Sequence, residues 1–153
     1  MKYYIGSDHA GFALKEKLRE YLKPEFELID IGVFSEERAD YPKIAFELAK
    51  KIYLENAMGI LVCGTGIGMS IAANKIKGIR AAVIYDEFTA QMAREHNNAN
   101  IACLGARNIT EEKAIKITKI FLSTKFSGET ETGKRHSERI RQIKEFEENA
   151  LKK

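Results

Sequence analysis

The residues best equipped for chemistry are Cys63-Gly64-Thr65-Gly66-Ile67-Gly68, a thiol followed by three alternating glycines. They follow the apolar run Ile60-Leu61-Val62, which places the thiol at the mouth of a buried strand. Alternate glycines let the backbone turn tightly and aim several N–H groups at one point, an anion site where a helix begins. A thiol at a helix N-terminus has its ionisation favoured by the backbone dipoles, so Cys63 is read as reactive. Cys103, in mid-strand with no glycine loop, is read as inert.

Other polar residues join this loop at a distance. Gly6-Ser7-Asp8-His9-Ala10-Gly11 follows the first strand and lies beside Cys63 if the first and third strands are neighbours. Asp8 there can serve a ligand, cap the first helix, or do both. His96 and Asn97 follow a helix ending Met92-Ala93-Arg94-Glu95; such a His is either a solvated C-terminal charge or a catalytic group. Helices in a parallel α/β fold return to the amino ends of the strands, away from Cys63. A catalytic His96 would therefore act in the site of a second subunit. Arg135 and Arg139 stand i, i+4 on one helical face, either as two forks for a phosphate or as a solvated charge run. Arg107, just past the fifth strand, also suits a phosphate.

The glycine loop imitates two better-known motifs. It lacks the Lys-Ser/Thr ending of a P-loop, and Met69 stands where a dinucleotide fingerprint needs its last glycine. Asp86 mimics the acidic ribose ligand of such a fingerprint, which keeps a nucleotide-binding regulatory module as an alternative from a different class. The chain has no room for a second, substrate-binding domain. No Cys, His, Asp or Glu cluster has metal-ligand spacing, so no metal or cofactor is expected, and the G-x-S-x-G elbow of a serine hydrolase is missing.

The elements that must carry these residues alternate. Lys2 to Gly6, Phe26 to Ile31, Met58 to Val62, Ile79 to Ile84 and Asn100 to Leu104 read as buried strands. Leu14, Leu18, Tyr21 and Leu22 form the stripe of the first helix, and Ile44, Ala45, Leu48, Ala49 and Ile52 that of the second, which Pro42 can start. Further helices are expected over Ile67 to Lys75, Glu87 to Glu95 and Glu111 to Ser123, the last capped by Thr110. The polar break Ser127 to Gly133 precedes a final helix from about Thr132 to the C-terminus. Its stripe of Ile140, Ile143, Phe146 and Ala150 must pack on its own domain or on a partner. The pattern predicts a single α/β domain over residues 1–153, a Rossmann-like doubly wound parallel sheet of five strands in the order 2-1-3-4-5, with helices on both faces.

Composition sets limits. The chain has 153 residues with 44% hydrophobic and 31% charged, and 25 basic against 22 acidic residues gives a formal charge of +3. That balance argues against nucleic-acid and membrane-surface partners but allows a small anionic ligand. There is no signal-peptide pattern and no apolar run near the roughly 20 residues of a membrane helix. With only two cysteines, both in apolar runs, a reducing compartment is expected, the cytoplasm.

Taken in order, Gly6 to Phe12, Glu37-Arg38-Ala39-Asp40-Tyr41-Pro42, Cys63 to Gly68, His96-Asn97 and Arg135-His136 resemble the ribose-5-phosphate isomerase B family, which includes the galactose-6-phosphate isomerase subunits. The resemblance spans about residues 1–145. It implies a metal-free homodimer with active sites shared between subunits, a tetramer being the alternative. It also implies interconversion of ribose 5-phosphate and ribulose 5-phosphate through an enediolate, in the pentose phosphate pathway. By resemblance, Cys63 is the base, the backbone from Gly64 through Gly66 and Ile67 to Gly68 holds the developing oxyanion, and His96 is the ring-opening acid. Asp8 and Thr65 are polar aids, Asn97 contacts the substrate, and His9, Arg107, Arg135 and Arg139 match residues that handle the phosphate or its surroundings. This moves the phosphate from the glycine loop, where the residues alone would place it, to the arginines. Some members use a glutamate base in the glycine-loop segment; here that position is Met69, which cannot accept a proton. A six-carbon sugar phosphate is the alternative substrate.

Overall fold

A computed structural model describes residues 1–150. Five strands, β1 (Tyr3–Ser7), β2 (Leu28–Asp30), β3 (Met58–Cys63), β4 (Ala81–Val83) and β5 (Ile101–Gly105), alternate with helices. These are α1 (Phe12–Leu22), α2 (Tyr41–Glu55), α3 (Ile67–Ala73), α4 (Glu87–Glu95), α5 (Glu111–Ser123) and, after a short 3-10 helix at Ser127–Glu129, α6 (Lys134–Ala150). All strand pairs are parallel. Residues 151–153 of the expected final helix lie outside the described part, and α6 begins two residues later than the pattern suggests.

Local chemistry explains several boundaries. Pro42 sits in the first turn of α2, where its missing N–H costs nothing, and Asn56 ends that helix in the left-handed region at φ 48°. Asp86 and Thr89 form a reciprocal capping box on α4, and Thr110 accepts the Lys113 N–H to start α5. Asp86 is thereby committed to its own helix, which removes the basis for reading it as a ribose ligand.

The doubly wound architecture is as expected, but the strand order is β2-β1-β3-β5-β4 rather than 2-1-3-4-5. A slot between two strands suits a segment apolar on both faces, and every residue of β5 is buried. Strand β4 is three half-buried residues preceded by Arg80, which an edge tolerates. The swap sends α4 back across the sheet. Helices α1, α4 and α5 cover one face with Ile5, Ile60, Val62, Ala102 and Leu104, while α2 and α3 cover the other with Leu61, Cys63, Ile101 and Cys103. This division is what crossovers of one hand require.

The first helix departs from its expected stripe. Tyr21 is 55% exposed, and Lys15 is fully buried on the inner face instead. Its ammonium lies 2.5 Å from Asp30 at the end of β2 and near the rings of Phe12 and Phe34. Arg19 also reaches Asp30, at 3.1 Å.

Candidate active site

The chain leaves β1 in opposite directions, toward β2 on one side and β3 on the other, so the crevice at their carboxyl ends is a switch point. The loops after β1 and β3 meet there. The Asp8 N–H donates to the Val62 carbonyl at 3.2 Å, and a Cβ on Gly11 would stand 2.3 Å from that oxygen. Only glycine allows this approach. Asp8 is buried, and its Oδ1 accepts the Gly11 N–H at 3.1 Å. It closes the turn before α1 rather than occupying the N-cap, which is Gly11.

Cys63 ends β3 with its side chain 5% exposed, and its Sγ accepts the Gly66 N–H at 3.2 Å. A backbone donor aimed at sulfur strengthens when the sulfur carries charge. Gly66 adopts φ 79° with its Cα against the backbone of β5, so the loop folds back over the thiol. Thr65 and Ile67 are exposed at the loop surface, where the Thr65 hydroxyl accepts the Ile67 N–H at 3.3 Å. The first N–H groups of α3 have no partner within the helix, as in any helical first turn. Cys103, deeper on the same face, is fully buried, and burial pushes its thiol pKa well up. The two cysteines are free thiols in different circumstances.

Two side chains extend this half of the site. The Arg107 guanidinium lies beside Gly64, with its Nη1 3.1 Å from where a Gly64 Cβ would be, and the Arg107 N–H donates to the Gly64 carbonyl at 3.0 Å. His9 Nδ1 accepts the Ala39 N–H at 3.3 Å, tying the segment before α2 to the β1 loop. That tie brings Tyr41 over Gly68, where a Cβ would meet the ring at 2.7 Å. Nothing in the spacing of Tyr41 and Gly68 along the chain reveals this contact, because the two residues meet only through the fold.

His96 and Asn97 lie at the other end. His96 is the C-cap of α4, just before the amino end of β5, whereas Cys63 pairs with Gly105 at its carboxyl end. The four steps from Ile101 to Gly105 separate these ends by about 13 Å at ~3.3 Å per residue. His96 stacks on His136, with ring centroids 4.1 Å apart and planes 10° from parallel. His136 is buried; that burial, followed by the charges of His96, Arg135 and Arg139, holds its pKa below 6.5. Arg135 donates from Nε to His136 Nε2 at 3.5 Å, and Arg135 and Arg139 are both exposed on α6. One chain thus carries two separate clusters. Asp8, His9, Cys63 to Gly68 and Arg107 gather at the carboxyl end, and His96, Asn97, Arg135, His136 and Arg139 at the amino end. His136 stands forty positions from His96, and no sequence signal marks the two as partners.

Fold and site define a doubly wound α/β domain that presents a thiol and a glycine-built donor loop at its switch point. The chain belongs to the Ribose/Galactose Isomerase family, whose model matches residues 3–143. It is 40% identical to ribose-5-phosphate isomerase B of Escherichia coli, covering 96% of this chain and 97% of that one. Among solved structures, ribose-5-phosphate isomerase B of Clostridium thermocellum superposes with a TM-score of 0.91 at 41% identity, covering 98% and 99% of the two chains. The Mycoplasma genitalium enzyme, solved with bound ribulose-5-phosphate, gives 0.88 at 41% identity over 96% of each chain. Among the described residues no helix is long and apolar enough to cross a membrane.

Proposed function

We propose that this protein is an aldose–ketose isomerase that interconverts ribose 5-phosphate and ribulose 5-phosphate. The observation that carries the reading is the Cys63 thiol at the mouth of β3, with the Gly66 N–H on its sulfur and the glycine loop around it. Deprotonated Cys63 removes the C2 proton of the open-chain aldose. The bonding electrons form the C1–C2 double bond of an enediolate as the carbonyl electrons move to O1. Cys63 then returns the proton to C1 as the C2 oxygen becomes the carbonyl and its hydroxyl proton passes to O1, which makes the ketose. Backbone donors of the Gly64 to Gly68 loop, apart from the Gly66 N–H held by the sulfur and the Ile67 N–H held by Thr65, stabilise the charge on oxygen, a contribution on the order of 3 kcal/mol per donor. Asp8 and Thr65 orient the sugar hydroxyls.

The ring-opening acid comes from a second copy. His96 stands a strand length from Cys63 in its own chain, so a homodimer supplies His96 and Asn97 across the interface, and Arg135 and Arg139 with them. With Arg107 and His9, these arginines hold the phosphate away from the glycine loop. Ile143 and Phe146 of α6, 55% and 77% exposed, provide apolar surface for that interface. The free thiols fit a reducing compartment, and the cytoplasm is the proposed location.

The test is turnover of ribose 5-phosphate beside allose 6-phosphate, together with exchange of the aldose C2 proton into solvent. Preference for the pentose and loss of exchange in Cys63→Ala are expected. Retained exchange in that variant removes Cys63 as base, and preference for the hexose reassigns the substrate. Mixing Cys63→Ala with His96→Gln subunits should restore about a quarter of the wild-type activity if subunits pair at random, because half of all pairs are mixed and each mixed pair has one intact site. No recovery after demonstrated subunit exchange refutes the shared site.

A further inference from the structure

Two arginines that no part of the mechanism uses, Arg80 and Arg94, converge on the turn that carries His96 and Asn97. Arg80 lies just before β4, and its Nε donates to the carbonyls of Asn97 and Asn98, both at 3.1 Å, while its Nη2 donates to Asn98 again at 3.0 Å. Arg94, in the last turn of α4, donates from Nη1 to Asn98 Oδ1 at 2.9 Å and to the Ala99 carbonyl at 2.6 Å. Its Nε reaches the Thr124 carbonyl at 3.3 Å, beyond the end of α5. Asn98 is therefore gripped at its carbonyl by one arginine and at its side chain by the other. It is also a left-handed residue at φ 45°, a conformation that asparagine tolerates but that needs outside support to be held rigidly.

The arrangement is costly on its own. Both side chains are half-buried, burial pushes both guanidinium pKa values down, and the charge of Arg80 pushes that of Arg94 down further. Two like charges in a desolvated place destabilise the fold unless hydrogen bonds compensate. Here the compensation comes mainly from carbonyl and amide oxygens of one turn, joined by the Thr124 carbonyl on Arg94 and by the charge of Glu147 beside Arg80. A planar guanidinium that bridges two oxygens fixes their separation as an ammonium cannot. Asn100 closes the same turn from the other side, accepting the Arg80 N–H at 2.8 Å and donating to the Gly78 carbonyl at 2.9 Å.

We propose that Arg80 and Arg94 are positioning residues that hold the 96–99 turn in the shape that presents His96 and Asn97 to the second subunit. This rests on the reading of His96 as the ring-opening acid. A shift of 1 Å in a catalytic group is enough for roughly 100-fold in rate. Arg80→Lys and Arg94→Lys keep the charge and lose the fork, and should lower kcat/KM for ribose 5-phosphate by about 10- to 100-fold.

The experiment separates positioning from general damage through the chemistry of the ketose. Ribulose 5-phosphate has its O5 phosphorylated and cannot close a furanose ring, so loss of its C1 proton to solvent needs Cys63 but no ring opening. Deuterium wash-out from C1 at saturating ribulose 5-phosphate is measured beside aldose turnover in both lysine variants, in His96→Gln and in Cys63→Ala. Support is a shared pattern in the lysine variants and His96→Gln, aldose turnover reduced and ketose wash-out kept within about threefold, with Cys63→Ala losing both. If His96→Gln turns over the aldose normally, the acid reading fails and the proposal falls with it. If only His96→Gln is impaired, the arginines are not positioning residues and the acid reading stands. Loss of wash-out in the lysine variants overturns the proposal as a general structural defect. Asn98→Gly, which removes the Oδ1 acceptor and keeps the left-handed backbone easy, is the gentler variant should either lysine variant fail to fold. It should show the same pattern at several-fold size, and wild-type aldose turnover in it counts against the clamp.

Discussion

The buried ammonium of Lys15 allows a prediction with a distinctive asymmetry. Lys15 is fully buried, and its full partner is Asp30 at 2.5 Å; Glu16, at 3.0 Å, is 43% exposed and shares its charge with water. Asp30 has more support. It receives Lys15, Arg19 at 3.1 Å and, through Oδ1, the Gly32 N–H at 2.9 Å. Removing Asp30 strands a cation inside the α1 face, whereas removing Lys15 leaves the carboxylate with two donors. Breaking a buried pair by deleting one partner costs about 3–5 kcal/mol, and replacing both by apolar groups of similar volume is often near neutral.

Asp30→Leu should therefore fall in that range, a large fraction of the roughly 5–15 kcal/mol that holds a domain together. Lys15→Met should cost about 1–2 kcal/mol, since the charge it leaves behind keeps its hydrogen bonds. The double variant should be more stable than Asp30→Leu alone by at least ~2 kcal/mol, and with the cost of Lys15→Met alone this gives a coupling of about 3–4 kcal/mol in a double-mutant cycle. Urea unfolding at one fixed protein concentration measures all four proteins, since association shifts apparent stability. Equal midpoints for Asp30→Leu and the double variant would falsify the argument, because a stranded Lys15 would then cost no more than a methionine in its place. The consequence reaches the site. Asp30 holds Gly32, at the start of the segment that His9 ties down at Ala39, so Asp30→Leu should also raise KM through a loosened wall.

Further outcomes follow from single residues. Gly66→Ala should cost about 1–2 kcal/mol and most of the turnover, because φ 79° is left-handed and the new Cβ would stand 3.0 Å from the Leu104 backbone. Gly68→Ala, whose Cβ would meet only the movable Tyr41 ring, should unfold within about 1 kcal/mol of wild type in the same urea assay. Cys103→Ala should keep turnover within about twofold, since that thiol is fully buried and away from the loop; a loss like that of Cys63→Ala would contradict the assignment of the two cysteines. For His136, the folded pKa lies below the unfolded value of 6.5, so the unfolded chain binds more protons as pH falls through that value and stability is lost. His136→Gln should flatten the stability profile between about pH 5 and 7, and an unchanged slope there would show that His136 does not set it.

How much of this was legible in the sequence depends on where each partner lies. Glu87–Glu95 and Glu111–Ser123 match their expected bounds because the caps, Asp86 with Thr89 and Thr110, sit within three residues of the helix starts they fix. Cys63 and its glycine loop were legible for the same reason. The burial of Lys15 was not, because its carboxylate arrives from β2, fifteen positions on, and a helical stripe alone suggests Tyr21 for the inner face. Nothing in the spacing of Arg80 and Arg94 reveals their role, since the oxygens they hold become neighbours only when the chain turns at Asn98. The order of β4 and β5 was misjudged because both runs are apolar, and apolarity identifies a strand without identifying its neighbours. Yet the separation of His96 from Cys63 came through that error intact. It depends only on the strands being parallel: α4 must then run back to the amino ends, whichever slot β5 fills. The distance between His96 and Cys63 within one chain therefore follows from the parallel sheet itself and not from the order of its strands.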